Sequence, residues 1–98
     1  MSSQQRLTLT IAPNLEDALS DYLLSLEEVG GFTSYPVRGH GENRQLSIAE
    51  QVTGRQKRIQ FELILATEDV PRVLGGLKQH VGGDIFFWYQ DINGSGRL

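Results

Sequence analysis

With 98 residues the chain has room for one domain, and a chain this short buries only about 60–65% of its unfolded surface, which favours association with further subunits. Nine Lys and Arg against twelve Asp and Glu give a net charge of −3, which argues against nucleic-acid binding by phosphate neutralisation. The absence of cysteine excludes disulfides, thiolate metal sites and cysteine catalysis.

The start, Met1–Arg6, is polar and carries no apolar signal-peptide core, and no run approaches the roughly 20 apolar residues of a membrane span. A cytoplasmic protein without direct membrane insertion is expected. Leu7, Leu9 and Ile11 alternate with Thr8 and Thr10, a short strand ended by Ala12 and Pro13. Asn14 is a suitable helix N-cap, and Glu16 and Asp17 place negative charge on the first turn, where the helix dipole favours it. Leu15, Leu19, Tyr22, Leu26 and Val29 then recur on one helix face, and Gly30-Gly31 ends the helix.

Phe32–Arg38 is β-prone, but Pro36 cannot donate a ladder hydrogen bond, so this strand belongs at a sheet edge. The stretch 39–53 is mostly polar with no helical face. After Gly54 comes a long strand in which Ile59, Phe61, Leu63 and Leu65 alternate with mostly polar residues. Thr67, Glu68 and Asp69 open a second helix with Pro71 in its first turn and a face of Val70, Val73, Leu74, Leu77 and Val81. Gly75-Gly76 inside it costs roughly 0.5–1 kcal/mol per glycine relative to alanine, a cost that a close backbone approach would offset. Gly82-Gly83 ends this helix, Ile85–Tyr89 forms a fourth strand, and Asn93–Leu98 is a loose tail.

The order predicts a single α+β domain over residues 1–98, a ferredoxin-like βαββαβ sandwich with an extended loop between strands two and three. Right-handed crossovers put strands one and three in the centre. Two helices cover one face of such a sheet, and the other face would then alternate apolar and polar. Strand four does not: Ile85, Phe87 and Tyr89 point one way, Phe86 and Trp88 the other, and Ile64 joins the second row. An exposed apolar row of that kind marks an association surface, so a homo-oligomer is expected.

No catalytic constellation stands out, and the chain reads as a non-enzyme. His40 and His80 lack metal-site spacing within one chain, and His80 reads as a surface residue at a helix flank. The informative stretch runs from Arg38 to Arg58 and holds Arg38, Arg44, Arg55, Lys57 and Arg58. Gly39 and Gly41 flank His40 and free backbone N–H groups to face an anion. Cations beside such amides suit a phosphate or carboxylate; a solvated hairpin tip with protective edge charges has the same composition.

The segment Gly31-Phe32-Thr33-Ser34-Tyr35-Pro36-Val37-Arg38-Gly39-His40-Gly41 resembles the PII signalling family, whose corresponding segment runs G-x-T-x-x-x-V-K-G-x-G. Arg55–Leu65, the following Thr67-Glu68-Asp69 and Gly83-Asp84-Ile85-Phe86 follow the same order. The resemblance covers Leu7 to about Ile92. It implies a PII-like homotrimer with sheets facing inward and a small anionic ligand in clefts between subunits. It also implies a T-loop, at about 42–54 here, that contacts a protein target such as a membrane transporter. The ligand-binding residues it implies are Thr33, Arg38, Gly39 and Gly41, Arg55 and Lys57 at the loop's other end, and Gly83 across the cleft. A nucleotide or a divalent metal is the cofactor class implied. A second resemblance, to the related trimeric CutA proteins, implies a metal-responsive or divalent-cation-tolerance protein with His40 and Glu42 as ligands. Departures from the PII pattern bear on the ligand. Glu42-Asn43 stands where PII proteins have Arg-Gln, Asp84 where they have a phosphate-binding lysine, and their paired arginines have no counterpart in Asp91–Leu98. The loop has no tyrosine for uridylylation. These differences argue against ATP and 2-oxoglutarate sensing of the standard kind.

Overall fold

A computed structural model describes residues 3–40 and 55–98. Strand β1 spans Gln4–Ile11, a 3-10 turn Pro13–Leu15 leads into helix α1 at Glu16–Leu24, and β2 spans Thr33–His40. Strand β3 spans Arg55–Ala66, and a second 3-10 turn, Thr67–Asp69, precedes α2 at Val70–Gly75. The short helix α3 at Leu77–His80 and β4 at Phe86–Ile92 complete the order. The four strands form one antiparallel sheet in the order β2-β3-β1-β4, the ferredoxin-like arrangement expected from the element order. Pro36 lies on the edge strand β2, where its missing N–H costs no ladder bond.

Strand pairing puts alternate residues on opposite faces. Leu7, Leu9 and Ile11 of β1 and Phe61, Leu63 and Leu65 of β3 turn toward the helices. With Leu19, Tyr22 and Leu23 of α1 and Val70, Val73 and Leu77 of α2 and α3, they form the core. No helix among the described residues lies over the other face. Among the described residues no helix is long and apolar enough to cross a membrane.

Several local expectations need correction. Asn14 caps nothing: it lies inside the first 3-10 turn, and α1 has no side-chain cap. Helix α1 ends at Leu24 instead of reaching Val29. The Ser25 hydroxyl donates to the Tyr22 carbonyl at 2.6 Å, and its N–H is shared between the Asp21 and Tyr22 carbonyls. A serine that bonds back to the backbone competes with helix continuation. Leu26 and Val29 still pack on the core, held by turns, with Leu26 N–H on Leu23 O and Val29 N–H on Leu26 O at 3.2 Å each.

The second helix is broken at Gly76. A Cβ there would stand 2.3 Å from the Tyr22 hydroxyl oxygen, so the close approach belongs to an α1 side chain and not to another backbone. Tyr22 uses that space to donate to the Val73 carbonyl at 2.8 Å. Beyond α3, Gly82 takes φ +149, a conformation that side chains rarely adopt, and its N–H bonds Leu77 O at 3.1 Å. Strands β1 and β4 are also longer than their apolar patterns. Gln5 donates to Asp91 at 2.9 Å and Arg6 to Gln90 at 3.1 Å, so polar cross-strand pairs extend the ladder.

Candidate functional site

At the end of the sheet where β2 stops and β3 begins, Thr10, Gly39, His40, Gln56, Arg58, Asp84 and Phe86 line a cleft of about 200 Å³. Strand register explains the gathering. Gly39 stands opposite Gln56 on the uncovered face, two residues along from the Val37–Arg58 pair, while Thr10 stands beside Phe86 on β4. Glycine at 39 leaves that face of β2 bare, and the Gln56 side chain lies across it; a Cβ would meet Gln56 Oε1 at 3.5 Å.

Gln56 is 6% exposed, yet its Nε2 has no hydrogen-bond partner among the described residues. A buried amide left unsatisfied costs about 1–3 kcal/mol, so an acceptor brought into the cleft would recover part of that. Arg58 adds a cation, with its Nη1 donating to the Lys57 carbonyl at 2.9 Å. Asp84 enters from the turn before β4 with φ 57, a left-handed conformation in which Asp is tolerated better than most residues. Its carboxylate shares the cleft with the Arg58 guanidinium, so the lining carries both signs of charge.

The sequence-expected residues divide between places. Gly39 and His40 line this cleft. Arg38 and Lys57 are cross-strand partners on the opposite face, where they line a groove with Pro13, Pro36 and Ile59. Arg55 opens β3 opposite His40. Gly83 lies beside Asp84 and borders a separate groove with Leu77 and Phe87. Thr33 begins β2, about 20 Å of extended chain from Gly39, so within one copy it does not reach the cleft. Gly41 and Glu42 lie outside the described residues, as does the segment 42–54. Among the described residues no group of three or more His, Asp or Glu is gathered for a metal.

Gln56, Thr10 and Phe86 were not singled out as site residues from the sequence. Their signal is a register, Gly39 against Gln56 and Thr10 against Phe86, and a register is visible only once strands are paired.

A four-stranded antiparallel sheet in the order β2-β3-β1-β4 with two helical segments on one face is the fold of the PII-like signalling proteins. Bacillus subtilis GlnK superposes with a TM-score of 0.69 at 18% identity, over 94% of this chain and 87% of that one. A proposed PII-like signalling protein from Thermus thermophilus superposes with a TM-score of 0.64 at 21% identity, over 93% of this chain and 88% of that one.

The chain belongs to the family described as "Protein of unknown function (DUF3240)", which it matches over residues 1–98. A member of that family from Shewanella baltica has a crystal structure that superposes with a TM-score of 0.82 at 22% identity, over 100% of this chain and 99% of that one. No protein with a curated description matches the sequence.

Proposed function

We propose that the protein is a non-enzymatic regulator of the PII-like kind. In this reading it is a homotrimer that takes a small anionic ligand in the cleft at Gly39, Gln56 and Arg58. Through the segment 42–54 it contacts a protein target, of which a membrane transporter is the leading case. The observation that carries the reading is the buried, unpartnered Gln56 amide beside a cation and a bare glycine backbone. Those three elements ask for an acceptor. The cleft also opens at the rim of the uncovered face: Phe86 is a wall of the cleft and lies 5.6 Å from Trp88 in the apolar row. A second copy seated on that row would roof the cleft, which supports ligand sites between subunits. Thr33, remote within one copy, would then have a route to a neighbour's cleft.

Calorimetry with phosphate, a dicarboxylate and ATP tests this. A small anion should bind, and Arg58→Ala should weaken it about ten- to a hundredfold, the worth of one charge-assisted hydrogen bond of about 1.5–3 kcal/mol. ATP should bind poorly because Asp84 faces the same cleft, and Asp84→Lys should strengthen it by a similar factor. Anions that bind Arg58→Ala as tightly as the unmodified chain would remove the cleft from the proposal.

The metal-responsive alternative rests on His40 lying in the same cleft as Asp84. It predicts a zinc- or copper-dependent gain in stability that a chelator reverses and His40→Ala abolishes.

A further inference from the structure

We infer that the uncovered sheet face seats a second copy of this chain through a ring of ion pairs, Arg6 of one copy to Glu62 of the next. This rests on the homotrimer reading and names the contact that sets its register. Ile64, Phe86 and Trp88 on this face are 45%, 64% and 38% exposed, an apolar row that no helix among the described residues covers. Arg6 stands opposite Ile64 and Gln90, while Glu62 stands opposite Thr8 and Thr33, one step further along the same face. Diagonal positions of this kind are about 7–8 Å apart, within reach of long side chains.

The two charges nonetheless hold neutral partners. Arg6 Nη2 donates to Gln90 at 3.1 Å, and the Tyr35 hydroxyl donates to Glu62 Oε1. Arg6 Nε is buried and has no acceptor among the described residues. The Nε proton is enclosed by its own chain, so a carboxylate of the next copy would meet the guanidinium at its Nη groups, which carry the remaining N–H donors.

The distribution of charge selects the partner. Among the described strand residues of this face Glu62 is the one carboxylate, and Arg6 is the cation at its end of the sheet, away from the cleft. An acidic partner would bury Glu62 against like charge, and a basic one would do the same to Arg6. A rotated copy of the same chain brings one carboxylate to each arginine and one apolar row to each apolar row. In a closed ring every copy gives Arg6 and Glu62 once each, and neither is left without its counterpart.

Sedimentation equilibrium on Arg6→Glu, Glu62→Arg and the double exchange reads this directly. Each single reversal should weaken association about a hundredfold or more, because it sets like charges against each other in a desolvated contact, and the double exchange should recover most of the loss. Glu62→Gln still accepts from Tyr35 and stays neutral, so it reports even where Glu62→Arg fails to fold; about a tenfold weakening is expected. If the unmodified protein assembles and both single reversals assemble equally well, the ion pair is wrong and the trimer stands. A double exchange no better than either single variant also overturns the pair. A monomeric unmodified protein at high concentration overturns both.

Discussion

Strand β1 contributes to both faces of the sheet, and the faces are finished differently. On the helix side Leu7, Leu9 and Ile11 are fully buried under α1, α2 and α3. On the other side Thr8 is 1% exposed with no helix among the described residues over it, because Glu62 and Trp88 flank it in register on β3 and β4. At the centre of a sheet, cross-strand neighbours are enough to exclude water. Toward the edges they are not, and there Ile64, Phe86 and Trp88 stay exposed. A chain of this length has one helical layer to give. The apolar residues left over on the second face are what the proposed trimer would bury.

Truncating one aromatic on each face should break that comparison if it is wrong. Phe61→Ala removes a fully buried ring and should cost about 3–5 kcal/mol in urea denaturation. Trp88→Ala, measured at a dilution where the unmodified protein is also dissociated, should stay within about 1 kcal/mol of it. Its loss should appear instead in the concentration dependence of the thermal midpoint, as expected for a residue that acts through assembly. A Trp88→Ala monomer as unstable as Phe61→Ala would mean that the uncovered face is a second core.

The two adjacent glycines of the second helical segment make a smaller and sharper pair. Gly76→Ala drives a Cβ against the Tyr22 hydroxyl and displaces its bond to Val73 O, so a loss of about 1–3 kcal/mol is expected. Gly75 has nothing within 4 Å of a built Cβ, and Gly75→Ala should be neutral or stabilise by about 0.5–1 kcal/mol. Thermal melts of the two variants decide it. Equal effects would show that the break at Gly76 follows from glycine content and not from the tyrosine.

This pair also shows where sequence reasoning reached and where it stopped. Element order, central and edge strands, and the apolar excess of β4 were legible because alternation and helical spacing report burial directly. The placement of Pro36 at an edge followed from one missing N–H. What was not legible depended on contacts between distant segments. Tyr22 meets Gly76 from a different helix, far away in the chain, a pairing that no local pattern announces. Ser25 ended α1 through its own hydroxyl, although the apolar spacing continued to Val29. The cleft was half legible: Gly39 and the cations near it were evident, but the parity of the strands sends Arg38 and Lys57 to one face and Gln56 and Arg58 to the other. That division appears only once the register is known.

The smallest expected effect again separates the faces, through two tyrosines whose pKa values are both raised for different reasons. Tyr22, on the helix side, is raised chiefly by burial. Tyr35, on the uncovered side, is raised chiefly by its hydrogen bond to the Glu62 carboxylate, which the phenol can donate only while neutral. Gln60 Nε2 donates to the Tyr35 oxygen at 2.7 Å and works in the opposite direction. In both cases the native state holds the neutral phenol to higher pH than the unfolded chain does. The stabilisation is therefore fully present below the unfolded value of about 10 and is lost as pH rises through the folded values. Spectrophotometric titration should show Tyr35→Phe removing one late-ionising group. Glu62→Gln should lower the pKa of Tyr35 toward its ordinary value and leave Tyr22 where it was. A curve unchanged by Glu62→Gln would show that the carboxylate is not the cause. Concentration sharpens the test. Assembly on the uncovered face would change the surroundings of Tyr35, so its ionisation should differ between the associated and the diluted protein, while Tyr22, already enclosed by its own chain, should titrate identically in both.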